Sequence, residues 1–234
     1  MKEKFQAVIN DKYANIYNHL VKSMRDNKKE FVITANAEIF MASNDDKTIN
    51  DMLVSQDHFV VADGISIIKA AKYYGIDIKE KIPGVDLCRD LLDYATKEKK
   101  KVYVFGCKED VLDNLKNKYP STRFVGLKNG YTNNAADVAK DILEKNPDLV
   151  LVALGVPKQE LFINDIYSKV KKGIFIGVGG SIDVLSGSKK RAPKFFVNHN
   201  LEWLYRIVRE PKRFKRFRKN NLQLLKLARK ENKK

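Results

Sequence analysis

The sequence has little of what marks secreted, metal-binding or P-loop proteins. It holds two cysteines in 234 residues, Cys88 and Cys107. They form neither a CxxC pair nor a disulfide framework, which fits a reducing compartment. The three histidines, His19, His58 and His199, are scattered, with no second His or Cys at ligand spacing. No Asp-x-Asp occurs either, so no metal is expected. No G-x-x-x-x-G-K-[ST] is present, which excludes a P-loop enzyme. The opening segment, MKEKFQAVINDKYANIY, lacks an uninterrupted apolar stretch, so no signal peptide is expected. No run approaches the roughly 18 apolar residues of a membrane-spanning helix. The expectation is a cytosolic chain, peripheral on a membrane at most.

What is present is a core-forming composition with an uneven charge. Apolar residues make up 44% of the chain, including 12 Phe and 10 Tyr, which excludes a disordered polymer. The length suits one domain, or one domain with an appendage. The formal net charge is +16. From Ser186 onward there are 17 Lys/Arg and 3 Asp/Glu, whereas the preceding residues balance to +2. A nearly neutral body over 1–195 thus carries a basic segment over 196–234. That segment calls for an anionic partner: phospholipid, nucleic acid or a pyrophosphate.

Short apolar runs alternate with amphipathic stretches. Strands are expected at 31–34, 58–62, 101–106, 122–126, 148–155 and 173–179. Helices are expected from about Ala37, over 65–74, over 85–100, over 108–119, and near 135–146 and 158–171. Strands that are apolar throughout, each followed by a helix, predict a mostly parallel sheet covered on both faces, an α/β three-layer Rossmann-like fold. Ligands of such sheets sit at the carboxyl ends of the strands. Thr34 and Asn36, Asp63-Gly64, Gly106, Gly155-Val156-Pro157 and Gly177-Val178-Gly179-Gly180 all fall at such ends.

Each of these residues has two readings. Asp63 is a general base if it stays ionised beside a hydroxyl, or an N-cap for the helix beginning near Gly64. Asn36 either bonds a substrate alongside Thr34 or caps the next helix. GVGGSID brings backbone N–H groups close to phosphate at a helix start, or is a tight turn. It does not complete G-x-G-x-x-G, because Ile182 fills the last glycine position, which counts against a Rossmann oxidoreductase. In the basic segment a helix is expected to open at Pro211. Phe214, Phe217, Leu224, Leu225 and Ala228 recur there at helical spacing among Lys and Arg. Such a stripe suits an anionic membrane surface, single-stranded nucleic acid, or packing on the body. If detached, its apolar residues would favour a homo-oligomer.

Six motifs in order carry a resemblance over about residues 30–216: TANAEIF, ADG, PGVDL, ALGVPKQE, GVGGSIDVLSGSKKRAP and LEWLYRIVREPKR. In these the chain resembles the WecG/TagA/CpsF glycosyltransferases, also called glycosyltransferase family 26, and most closely the TagA type. The resemblance implies an inverting, metal-independent enzyme with no cofactor. It would move a sugar from a UDP-sugar to a polyprenyl-diphosphate-linked sugar on the inner face of the bacterial membrane. By default the sugar is N-acetylmannosamine and the acceptor N-acetylglucosaminyl-diphospho-undecaprenol, in teichoic acid synthesis. N-acetylmannosaminuronic acid and glucose are alternative donor sugars, and nucleic acid is not an expected partner. The resemblance makes Asp63 the base and places Thr34, Asn36 and Gln159 in the catalytic pocket. Asp183, Gly179 and Gly180 fall in the nucleotide-sugar region, with the strand-end glycines Gly106 and Gly155. Arg206, Arg213 and Arg216 would bind the acceptor diphosphate with Lys81, on an appendage that closes the site and meets the membrane. Two positions depart from the family pattern: Ala62 stands where proline is common, and Lys81 where arginine is. A diphosphate contact at Lys81 keeps the charge but loses the bidentate fork.

Overall fold

The computed structural model describes residues 1–232. Six strands form one parallel sheet: β1 (Lys29–Ala35), β2 (His58–Ala62), β3 (Lys101–Gly106), β4 (Arg123–Lys128), β5 (Leu149–Ala153) and β6 (Gly173–Gly177). Their order across the sheet is β2-β1-β6-β5-β3-β4. All pairings are parallel, and Thr34 lies in register with Val61 and Val152 with Gly177.

The apolar strand runs follow from burial on both faces. Along β1, Phe31, Ile33 and Ala35 join one core cluster while Val32 joins the other. Val150 and Val152 of β5 likewise face away from Leu149 and Leu151. A period of two between two hydrophobic layers demands apolar residues at every position. Helices α1 (Lys2–Gln6), α3 (Ala37–Ala42), α4 (Lys47–Val54), α5 (Ile65–Lys72), α8 (Ala135–Lys145) and α9 (Lys158–Tyr167) supply the first layer. The second comes from α2 (Tyr13–Arg25), α6 (Gly84–Lys97), α7 (Glu109–Lys118) and α10 (Ser181–Leu185). Helices α1, α2 and α4 lie outside the sequence expectations. In α2 the buried residues Ile16, Leu20, Val21 and Met24 carry a readable three-four spacing.

The basic segment folds as α11 (Lys194–Asn198), α12 (Glu202–Arg209), α13 (Arg213–Phe217), a π-helical turn (Arg218–Leu222) and α14 (Gln223–Glu231). The division expected at 195/196 therefore cuts α11. Pro211 precedes α13 by a two-residue turn rather than opening it. The expected apolar stripe is also divided. Leu224 and Ala228 have no exposed surface and belong to the body's core, where α14 packs on α5 and α3. Burying a leucine stabilises by about 1.5–3 kcal/mol, enough to hold a nine-residue helix against fraying. Tyr74 Oη also donates to Glu231 at 2.8 Å. The segment is docked at its far end. Among the described residues no helix is long and apolar enough to cross a membrane.

Candidate active site

The carboxyl ends of β1, β2, β5 and β6 open onto two cavities. The first, of about 510 Å³, lies between the starts of α5 and α6 and the appendage. The second, of about 470 Å³, lies between the β5 and β6 ends and the appendage. Asn36, Glu38, Asp63, Ser181, Arg206, Arg213 and Arg216 line both.

Asp63 stands at this junction. Its N–H donates to Ala35 O at 2.8 Å, which fixes it beside β1. It does not cap the helix that follows: the N-cap of α5 is Gly64, without a side-chain bond. Gly64 has φ +112, a conformation that favours glycine and turns the chain away sharply. The Asp63 carboxylate instead faces the backbone of Gly84, at the start of α6. A side-chain carbon on Gly84 would lie 3.3 Å from Asp63 Oδ2 and equally close to the Thr34 methyl, so glycine makes room for both. Burial pushes the Asp63 carboxyl up to about 6. Arg206, the Gly84 N–H and Lys81 oppose that rise, and Glu202 adds to it. A carboxylate at this value is largely ionised at neutral pH yet keeps appreciable basicity, as a general base requires.

The other expected residues divide by geometry. Asn36 is a cap: its Oδ1 accepts from Glu38 N and Ile39 N at 2.9 and 3.2 Å. Its side chain also lines both cavities, so capping and pocket readings coexist. Thr34 Oγ1 donates to Gly177 O at 3.3 Å on the wall of the second cavity. Gln159 lines that cavity with both ends of its amide engaged. Its Nε2 donates to Glu160 at 2.8 Å and its Oε1 accepts Gly179 N–H at 2.9 Å, bracing the glycine turn after β6. Gly155, Gly179, Gly180 and Asp183 line the same cavity. Gly106 lines neither cavity. It has φ +119, and a side chain there would meet the Ala153 backbone at 2.4 Å, so close strand packing accounts for this glycine. Lys81 lines the first cavity and donates to neutral Asn200 at 2.8 Å.

The three arginines each sit beside a carboxylate. Arg206 meets Glu202 at 2.5 Å, Arg213 meets Glu210 at 2.8 Å, and Arg216 approaches Glu38 to 3.8 Å. Lys189 links Asp183 (3.1 Å) to Glu210 (3.4 Å) and so ties the glycine turn to the appendage. The first cavity has an apolar side, where Trp203 stacks on Phe217 with ring centres 4.4 Å apart, near Ile207, Leu222 and Leu225. Asn220 and Asn221 reach it from the π-helical turn, a feature frequent at functional sites. No group of three or more His, Cys, Asp or Glu side chains is placed to hold a metal among the described residues.

Gly84, Glu160, Arg191 and Glu202 were not singled out from the sequence. All four lie inside PGVDL, ALGVPKQE, SKKRAP and LEWLYR. Their spacing carries no signal of its own, because their partners are distant in the chain.

Comparison with known proteins agrees with the six motifs. The model of the glycosyl transferase WecG/TagA/CpsF family matches residues 5–234. The chain is 38% identical over 213 residues to the N-acetylglucosaminyldiphosphoundecaprenol N-acetyl-beta-D-mannosaminyltransferase of Bacillus subtilis (strain 168), covering 89% of this chain and 83% of that one. The protein of the same description from Bacillus spizizenii is 35% identical over 89% of this chain and 82% of its own. That of Staphylococcus aureus (strain MW2) is 32% identical, over 85% and 79%.

Proposed function

This chain belongs to the WecG/TagA/CpsF family of glycosyl transferases, and from that membership we propose that it transfers N-acetylmannosamine from a UDP-sugar to N-acetylglucosaminyl-diphospho-undecaprenol. The observation that carries the reading is the position of Asp63 on the wall common to both cavities. A base between two substrates must touch the acceptor hydroxyl on one side and face the anomeric carbon on the other. The second cavity suits the nucleotide sugar. Its glycine turn, Gly177–Gly180, lets the backbone ahead of α10 form the cavity wall, and Lys189, Lys190 and Arg209 surround it. The first cavity suits the acceptor. Lys81 and Arg206 meet the diphosphate, and Trp203, Ile207 and Leu222 take the start of the lipid.

In this mechanism Asp63 withdraws the proton of the acceptor hydroxyl as its oxygen attacks the anomeric carbon. The bond to the UDP oxygen breaks in the same displacement, inverting the configuration. Arg213 and Arg216 receive the charge that develops on the departing UDP diphosphate, so the step runs on arginines without a metal. Asn36 and Thr34 orient the sugars. Arg206, Arg213 and Arg216 line the same two cavities as Asp63, which favours this enzyme reading over nucleic-acid binding. Phe195, Trp203, Leu204, Val208, Phe214 and Leu222 remain exposed among the cations, an arrangement suited to an anionic inner membrane face where the lipid acceptor resides.

The test is Asp63→Asn, assayed with UDP-N-acetylmannosamine and a short-chain acceptor by mass spectrometry. Loss of about 10²-fold or more in kcat is expected for a general base. Activity within a fewfold of the parent protein would sink the assignment.

A further inference from the structure

Arg191 is not on the wall of either cavity, yet it holds two elements of the site together. Its guanidinium grips Asp86 with both terminal nitrogens, one of them at 2.7 Å. Asp86 lies in the first turn of α6, two residues beyond Gly84, which packs against the Asp63 carboxylate. The same guanidinium approaches Glu202 of α12 to 3.9 Å. The other oxygen of Glu202 bonds Arg206, a residue of both cavities. Asp86, Arg191, Glu202 and Arg206 thus form an unbroken line of alternating charge from the start of α6 to the cation beside Asp63. The Arg191 Nε is buried without a partner, so both hydrogen bonds of the guanidinium go to Asp86.

We propose that Arg191 is a positioning residue that ties α12 to the start of α6 and so fixes Arg206 against Asp63. Base and cation then share one reference point, and both are lost from register together. The inference rests on Asp63 being the base.

Removing Arg191 has a directional consequence. Arg206 is freed to move away, and Glu202 loses its second cation. Both changes make the surroundings of Asp63 more negative, so its proton is held more tightly. The other charged groups facing Asp63 are unchanged by the substitution: Lys81 ahead of α6, Glu38 on α3, and Arg213 and Arg216 on α13. Cys88 within α6 is a neutral thiol, pushed up by burial.

The experiment is the pH dependence of kcat/KM for the parent protein, Arg191→Gln, Arg206→Gln, the double variant and Asp63→Asn. The parent acid limb is expected near 6, the value set by burial of Asp63. Arg191→Gln should move it upward by about half a unit, since the half-exposed Arg206 through which it acts works toward the low end of the usual range. The double variant should exceed Arg206→Gln alone by less than Arg191→Gln exceeds the parent, because Arg191 acts chiefly through Arg206 and only in part through Glu202. Arg191→Lys keeps the charge without the fork and should give an intermediate limb. It carries the test if the glutamine variant does not fold. A limb that stays in place while the rate falls equally at every pH overturns the proposal and leaves Arg191 a structural residue. Additive displacement in the double variant overturns it as well. Parent-like activity of Asp63→Asn overturns the base reading instead, which separates the two failures.

Discussion

Replacing Glu160 with glutamine removes a buried ionisable group from behind Gln159, a wall residue of the second cavity, and converts its burial into a measurable quantity. Glu160 is 2% exposed. One carboxyl oxygen accepts from Gln159, and the other has no hydrogen-bond partner. Burial pushes its carboxyl from 4.5 to about 7. The gap of about 2.5 units, at about 1.4 kcal/mol each, amounts to ~3 kcal/mol. The sign follows from proton binding. Above pH 4.5 the unfolded chain releases this proton while the folded protein retains it, so stability present at low pH is lost as pH rises toward 7. Glutamine does not titrate, and its Oε1 can still accept from Gln159. Between pH 5 and pH 8 the Glu160→Gln protein should therefore gain most of ~3 kcal/mol relative to the parent. At about 2–4 °C per kcal/mol for a chain of this size, the difference in Tm should widen by roughly 5–10 °C. Thermal unfolding followed by circular dichroism at half-unit pH intervals measures it. A Tm difference that is the same at pH 5 and pH 8 would refute the reasoning.

Two further outcomes follow from the same geometry. Gly84→Ala should lower kcat several-fold with Tm nearly unchanged, because the methyl crowds the Asp63 carboxylate and Thr34 from 3.3 Å while alanine favours the helix by up to about 1 kcal/mol; a fully active variant would show that the crevice yields. The double variant Val208→Glu, Phe214→Glu should pellet less with anionic vesicles than the parent at unchanged Tm, since both side chains are exposed; equal pelleting would rule out this face as the membrane contact.

The strands were legible because burial on two faces writes itself as unbroken apolar runs such as FVIT and DLVLVA. The crevice was legible because glycines and short polar residues collect at the ends of those runs. What each side chain does there was not legible. Asn36 serves as cap and pocket wall at once, and only the distances to Glu38 N and Ile39 N separate the roles. Gly106 looks like a ligand-loop glycine in sequence but is required by the Ala153 backbone. Leu224 and Ala228 share the helical spacing of a membrane stripe, and spacing does not say which apolar face is already occupied. Gly84 and Arg191 matter through partners 21 and 105 residues away, at Asp63 and Asp86. No local pattern encodes such pairings.

The docking of α14 changes the mechanics of the arginine-bearing segment. A tail held at one end samples a wide volume and spends little time near its target. Here Leu224 and Ala228 form one abutment and Glu202, through Arg191, the other, so the stretch between is a span rather than a flap. Its cations are present at the effective concentration of a short intramolecular tether, of millimolar order, before any lipid is met. The core that stabilises the protein thus also holds the arginines of the site in place.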